Sequence, residues 1–126
     1  MYEISVRQHF DAAHYLRDYN GRCENLHGHR YEVAVSLSAR GLDASGLAFD
    51  FTRLKRVLKE RFLDVYDHVC LNDVAPYDRI NPSAENIART MFEGLSEHLA
   101  DPESQASLHS VTVWESPDSW CTYTAD

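Results

Sequence analysis

Apolar and polar positions alternate at the start of the chain, with Tyr2, Ile4 and Val6 set against Glu3, Ser5 and Arg7. The same period returns over residues 29–39, where Tyr31, Val33, Val35 and Leu37 oppose Glu32, Ala34, Ser36 and Ser38. Successive side chains of an extended chain point to opposite faces, so residues 2–10 and 29–39 read as two half-buried strands. Residues 15–26 between them are polar and irregular. They read as a long loop, and loops of that length often carry function. Two glycines and an aspartate within residues 40–46 mark a turn before a short apolar piece at 47–49.

From there the period changes to that of a helix. Asp50 is placed to cap a helix over 51–66 whose stripe is Phe51, Leu54, Val57, Leu58, Phe62 and Val65, at steps of three and four. Asn81 and Pro82 start a second helix, with the proline in a first turn that does not need its missing N–H. Its stripe of Ile87, Ala88, Met91, Phe92, Leu95 and Leu99 runs to about residue 100, where Asp101 and Pro102 stop it. Strands at 108–115 and 119–124 follow, joined by the turn at Ser116, Pro117 and Asp118. The order ββααββ predicts an α+β fold with antiparallel hairpins at both ends and two helices on one face of a four-stranded sheet. Two sheet edges and one sheet face stay uncovered, a condition that favours assembly into a homo-oligomer. At 126 residues, the chain 1–126 is expected to form one domain.

Composition narrows the class. Hydrophobic residues at 44% and charged residues at 25% are ordinary for a globular protein and argue against disorder. No apolar run approaches the ~20 residues that cross a bilayer, and the first residues lack the layout of a signal peptide, so a soluble cytoplasmic protein with no membrane role is expected. The net charge of −8 disfavours a nucleic-acid partner. The cluster Arg53, Lys55, Arg56, Lys59 and Arg61 reads as the solvated face of a helix. Cys23, Cys70 and Cys121 are odd in number and widely spaced, which suits free thiols rather than disulfides.

The strongest local chemistry lies at residues 23–29, CENLHGH. His27 and His29, two apart on a strand, present both imidazoles to one side, and His14 can join them if the first two strands pair. Three neutral imidazoles with an open fourth position make a catalytic zinc site. Spacing alone equally allows surface or hydrogen-bonded histidines.

Six segments together say more: residues 10–14 (FDAAH), 23–31 (CENLHGHRY), 46–51 (GLAFDF), 67–72 (DHVCLN), 81–88 (NPSAENIA) and 113–115 (VWE). In order and spacing they resemble the 6-pyruvoyltetrahydropterin synthase and 6-carboxytetrahydropterin synthase family across nearly the whole chain. The resemblance implies the tunnelling fold, in which the sheets of three subunits close a barrel and two trimers stack into a hexamer, with active sites at subunit contacts. It implies Zn2+ on His14, His27 and His29. Cys23 matches the catalytic cysteine, and Asp67 with His68 matches an Asp-His pair that relays its proton. Glu115 matches the pterin-anchoring glutamate, while Glu85 is read both as a ring-holding residue and as a first-turn acid favoured by the helix dipole.

The substrate implied is 7,8-dihydroneopterin triphosphate, for whose phosphates Arg17, Arg22 and Arg30 lie near the motif. Its product is 6-carboxy-5,6,7,8-tetrahydropterin in queuosine biosynthesis, which the compact length and tight CENLHGH segment favour. The alternatives are 6-pyruvoyltetrahydropterin, a folate-type product to which Glu24 beside Cys23 draws attention, and a non-enzymatic zinc or pterin-binding module.

Overall fold

The computed structural model describes residues 1–101 and 104–125. Strand β1 (Tyr2–His14) and strand β2 (His27–Ala39) form a long antiparallel hairpin, followed by helix α1 (residues 51–66), helix α2 (Ala84–Leu99), strand β3 (Ala106–Ser116) and strand β4 (Ser119–Tyr123). The four strands make one antiparallel sheet in the order β1-β2-β3-β4, which bears out the expected ββααββ arrangement. Both strands of the first hairpin run further than the alternation reached. Their register is continuous from Tyr2 opposite Ala39 to His14 opposite His27.

The alternation decides which face is covered. Val6, Phe10, Val33, Val35, Leu37, Val111 and Val113 are buried on one side. Leu54 and Leu58 of α1 and Ile87, Met91 and Leu95 of α2 complete that core. Phe10 stacks on Tyr31 with centroids 4.8 Å apart. The opposite face is polar: the Ser36 hydroxyl donates to Ser5 at 3.1 Å, Thr112 and Thr122 share a 2.7 Å bond, and Arg7 pairs with Glu32 while lying over the Trp114 ring.

Helix α1 corrects the predicted stripe. Asp50 does cap it, accepting from Thr52 N at 2.9 Å, but residues Lys59–Leu63 form a π-turn. That wider turn rotates everything after it, so the buried sequence runs Leu54, Leu58, Leu63 and Tyr66, with a step of five between Leu58 and Leu63. Phe51 and Val65, assigned to the core by an unbroken 3.6 period, are exposed.

Helix α2 begins two residues later than Asn81 and Pro82 suggested. Ser83 is its cap, accepting from Asn86 N at 3.1 Å, and both earlier residues lie outside the helix. The helix ends at Leu99 with Ala100 as its C-cap; the predicted stop at Pro102 lies outside the described residues. Among the described residues, no helix is long and apolar enough to cross a membrane.

Candidate metal centre and adjoining clefts

The register of the first hairpin builds the histidine cluster. His14 pairs with His27 and Ala12 with His29, and the same alternation that buries Phe10 and Tyr31 turns all three imidazoles to the core side of the sheet. Ring centroids lie 4.6 Å apart for His14–His27, 5.0 Å for His14–His29 and 4.8 Å for His27–His29. One nitrogen from each ring falls within 4.8 Å of the others, so the group could hold a metal ion.

The tautomers follow from the backbone. His14 Nδ1 lies 2.7 Å from the Pro82 carbonyl, and His27 Nδ1 lies 2.6 Å from the Asn25 carbonyl. A carbonyl only accepts, so both Nδ1 atoms donate and both Nε2 atoms of the neutral rings are left with a lone pair. Those two Nε2 atoms face each other at 3.1 Å. His29 Nε2 is buried without a hydrogen-bond partner. Converging lone pairs repel unless an electrophile lies among them, and burial, the largest influence, lowers the pKa of both His14 and His29 and so disfavours a proton in that role. This donor set fits a metal ion.

Glu115 stands beside the cluster, its Oε1 3.6 Å from His14 Nε2. It also lines a cleft of about 440 Å³ together with Cys23, Glu85, Cys121, Tyr19 and Trp120. The fold therefore brings Cys23, Glu85 and Glu115 together, although they lie on three different elements. Cys23 sits in a 3₁₀ turn, Arg22–Glu24, and its carbonyl accepts from Leu16 N at 2.6 Å. Glu85 occupies the first turn of α2, where the helix dipole favours an acid, and it also lines the cleft.

Asp67 and His68 stand elsewhere. The backbone leaves α1 at Asp67 and His68 adopts a left-handed conformation, φ 60°, providing the turn that an adjacent Asp-His pair requires. Asp11 holds this turn at two points: its N–H donates to Asp67 Oδ1 at 2.9 Å, and its carbonyl accepts from His68 N at 2.6 Å. His68 Nδ1 lies 2.9 Å from Asp67 Oδ2. The Asp11 N–H, then the His68 imidazole, hold the Asp67 carboxyl below the usual carboxylate range. His68 borders a separate shallow cleft with Asp11, Gly28, His29 and Cys70. Within one chain the structure does not bring His68 and Cys23 into one cleft. The histidine cluster lies between, sharing His29 with one cleft and reaching Glu115 of the other.

Of the three arginines near the motif, two are engaged. Arg17 donates to the Tyr77 and Ile80 carbonyls, and Arg30 is paired with Asp11 at 3.0 Å. Cys121, a free thiol as expected, packs against the margin of the core and also opens on the cleft; burial first, and the Glu85 carboxylate second, push its thiol up. Strand alternation after the Ser116–Asp118 turn places Cys121 on the same face as Val113 and was the signal available for it. Asn72, whose amide accepts from Tyr15 N and donates to the Tyr15 carbonyl, both at 3.0 Å, just beyond His14, was also missed, as were the amide contacts of Asn81 and Asn86.

Three imidazoles, His14 buried and His27 and His29 half-buried, next to a cleft bearing a thiol and two carboxylates, have the make-up of a catalytic rather than a structural metal site. The chain belongs to the 6-pyruvoyl tetrahydropterin synthase family, whose description matches residues 3–126. It is 33% identical to the 6-carboxy-5,6,7,8-tetrahydropterin synthase of Haemophilus influenzae, over 98% of this chain and 99% of that one. It is 32% identical to the enzyme of the same name from Bacillus subtilis, over 97% and 84% of the two chains. The 6-pyruvoyl tetrahydropterin synthase of Caenorhabditis elegans superposes with a TM-score of 0.85 at 28% identity, over 99% of this chain and 96% of that one. The subunit thus has the tunnelling fold that the sequence motifs implied.

Proposed function

We propose that the protein is a lyase acting on 7,8-dihydroneopterin triphosphate and water to give 6-carboxy-5,6,7,8-tetrahydropterin, acetaldehyde and triphosphate, a step of queuosine biosynthesis, in the cytoplasm. The observation that carries the reading is the cluster of His14, His27 and His29, whose ring nitrogens converge in a partly buried site beside a thiol-bearing cleft. The relatives named above support the 6-carboxy product.

Zinc held by these three imidazoles would supply Lewis acidity toward the hydroxyls of the substrate side chain. Glu115 anchors the pterin by accepting two parallel bonds from its 2-amino group and ring N–H, the fork geometry that suits a carboxylate. Glu115 borders the cleft that also holds Cys23, so a ring seated on its carboxylate lies beside the thiol. Glu85 borders the same cleft from the N-terminus of α2 and holds the other side of the ring. Cys23 moves the proton at the side-chain carbon next to the ring, and His68, oriented by Asp67, exchanges that proton. Because His68 and Cys23 line different clefts of one chain, the complete site is assembled from neighbouring subunits of a hexamer built as a dimer of trimers, through the free edges of the sheet.

Glu24 favours the thiol chemistry over the folate-type alternative. Its carboxylate accepts from Tyr19 N at 3.1 Å and closes its own loop, and it does not line the cleft. The deciding experiment is incubation of the zinc-loaded protein with 7,8-dihydroneopterin triphosphate, with products identified by mass spectrometry. The 6-carboxy product with acetaldehyde is expected. A 6-pyruvoyl or 6-hydroxymethyl product would move the protein to biopterin or folate chemistry, and binding without turnover would leave a pterin-binding module.

A further inference from the structure

The segment after β1 and the segment before α2 are joined by a set of side-chain amides that no catalytic role absorbs. Asn81 Oδ1 accepts from Arg17 N at 2.9 Å and Asn81 Nδ2 donates to the Arg17 carbonyl at 3.0 Å, so one amide imitates a strand partner for the chain just beyond His14. Asn86, from the first turn of α2, donates through Nδ2 to the Asn81 carbonyl at 2.8 Å. The Asn81–Pro82 peptide is therefore held from both sides, with the proline ring fixing φ on its far end. The next carbonyl along, that of Pro82, is the one accepting from His14 Nδ1 at 2.7 Å.

We propose that Asn81 and Asn86 are positioning residues for the metal site. By pinning the Pro82 carbonyl they fix the Nδ1–H tautomer and the orientation of the His14 ring, and so set how strongly the site holds its ion. A ligand imidazole whose other nitrogen is bonded to a fixed acceptor is held in its tautomer and made more basic, and losing such a partner typically costs about 10- to 100-fold in metal affinity. The asparagines act one bond further out, so the lower end of that range, about 10-fold, is expected for either one. The inference rests on the zinc reading above.

The test is competition for zinc between the full-length protein, stripped and reloaded, and a chromogenic zinc chelator. The wild type, Asn81→Ala, Asn86→Ala and Leu99→Ala are compared, the last losing core packing at the far end of α2 without touching the site. Thermal melts of the zinc-free proteins give each variant's stability. Both asparagine variants are expected to release zinc about 10-fold more readily, while Leu99→Ala keeps wild-type affinity despite a lowered melting temperature. Wild-type affinity in both asparagine variants would overturn the proposal, as would an equal loss in Leu99→Ala. If Asn81→Ala does not fold, Asn86→Ala decides. A wild type that takes up no zinc would instead sink the functional reading itself.

Discussion

His14 and His29 owe their character to where the sheet puts them rather than to their immediate neighbours in the chain. Burial depresses both pKa values from the ordinary 6.5, so as pH falls the unfolded chain binds protons before the folded one does. The stability contributed by these neutral rings is present above about pH 6.5 and is lost as pH falls through their depressed values. The zinc-free protein should accordingly melt at a lower temperature at about pH 5.5 than at about pH 7.5, and zinc retention on dialysis should fall in the same direction because protons compete for the ligands. A melting temperature that rises toward acid would contradict the buried neutral cluster. Cys23 belongs to a different part of the machinery. Its thiol is not among the metal-holding nitrogens, and its removal leaves intact the Glu115 carboxylate proposed to anchor the ring in the same cleft, so Cys23→Ala should keep zinc and bind pterin. Turnover should fall by about 10²–10⁴, the usual effect of removing a positioned proton carrier. Near wild-type turnover in single-substrate kinetics would remove Cys23 from the mechanism.

At the level of elements, the π-turn in α1 is the feature with the sharpest consequence. It inserts one residue into an amphipathic helix, and Leu63 and Tyr66 reach the core only because of it. Deleting exposed Glu60 reduces the Leu58–Leu63 step from five to four, which an ordinary α-turn satisfies. Deleting Lys55 instead turns Leu58, Leu63 and Tyr66 away from the core by about 100°. The first deletion should leave the melting temperature within a few degrees of wild type. The second should destabilise by at least the ~2–5 kcal/mol that loss of a single large buried side chain costs. Equal effects in thermal melts would show that the π-turn does not set the helix phase. The same element explains why the predicted stripe missed Leu63 and Tyr66 and wrongly took in Val65, while Phe62 still packs at the margin of the core: counting in threes and fours cannot reveal an inserted residue.

For the whole molecule, the two clefts make a demanding prediction. If each active site takes Cys23 from one subunit and His68 from another, Cys23→Ala and His68→Ala are each inactive alone but complement one another. After mixing in equal amounts under conditions that dissociate and reassemble the oligomer, about a quarter of the sites should contain both intact residues, as random pairing of the two chains requires. Recovery of activity on that scale, in particles of about six times the 14.5 kDa chain by light scattering, is the expected outcome. No recovery from a properly reassembled hexamer would return both residues to a single chain's site. The free β1 and β4 edges and the polar open face, with its Ser5–Ser36 and Thr112–Thr122 bonds, are the surfaces available for such assembly.

By itself the sequence determined the elements and the candidate ligands. Alternation of two and periods near 3.6 are local consequences of backbone geometry, so the four strands, two helices and the cap at Asp50 depend on residues close in the chain and were legible, although the start of α2 at Ser83 was placed two residues early. His27 and His29 share a face for the same local reason. What only the tertiary structure decided are the contacts whose partners lie far apart. The register that sets His14 opposite His27, the Pro82 carbonyl 68 residues on that fixes its tautomer, and the asparagine amides that hold that carbonyl all depend on packing of the hairpin against α2. Position in the chain carries no record of such distances. The same holds for Cys121, which lines the cleft because β4 folds back on β3 beside Glu115, and for His68, which the exit from α1 placed in a cleft apart from Cys23.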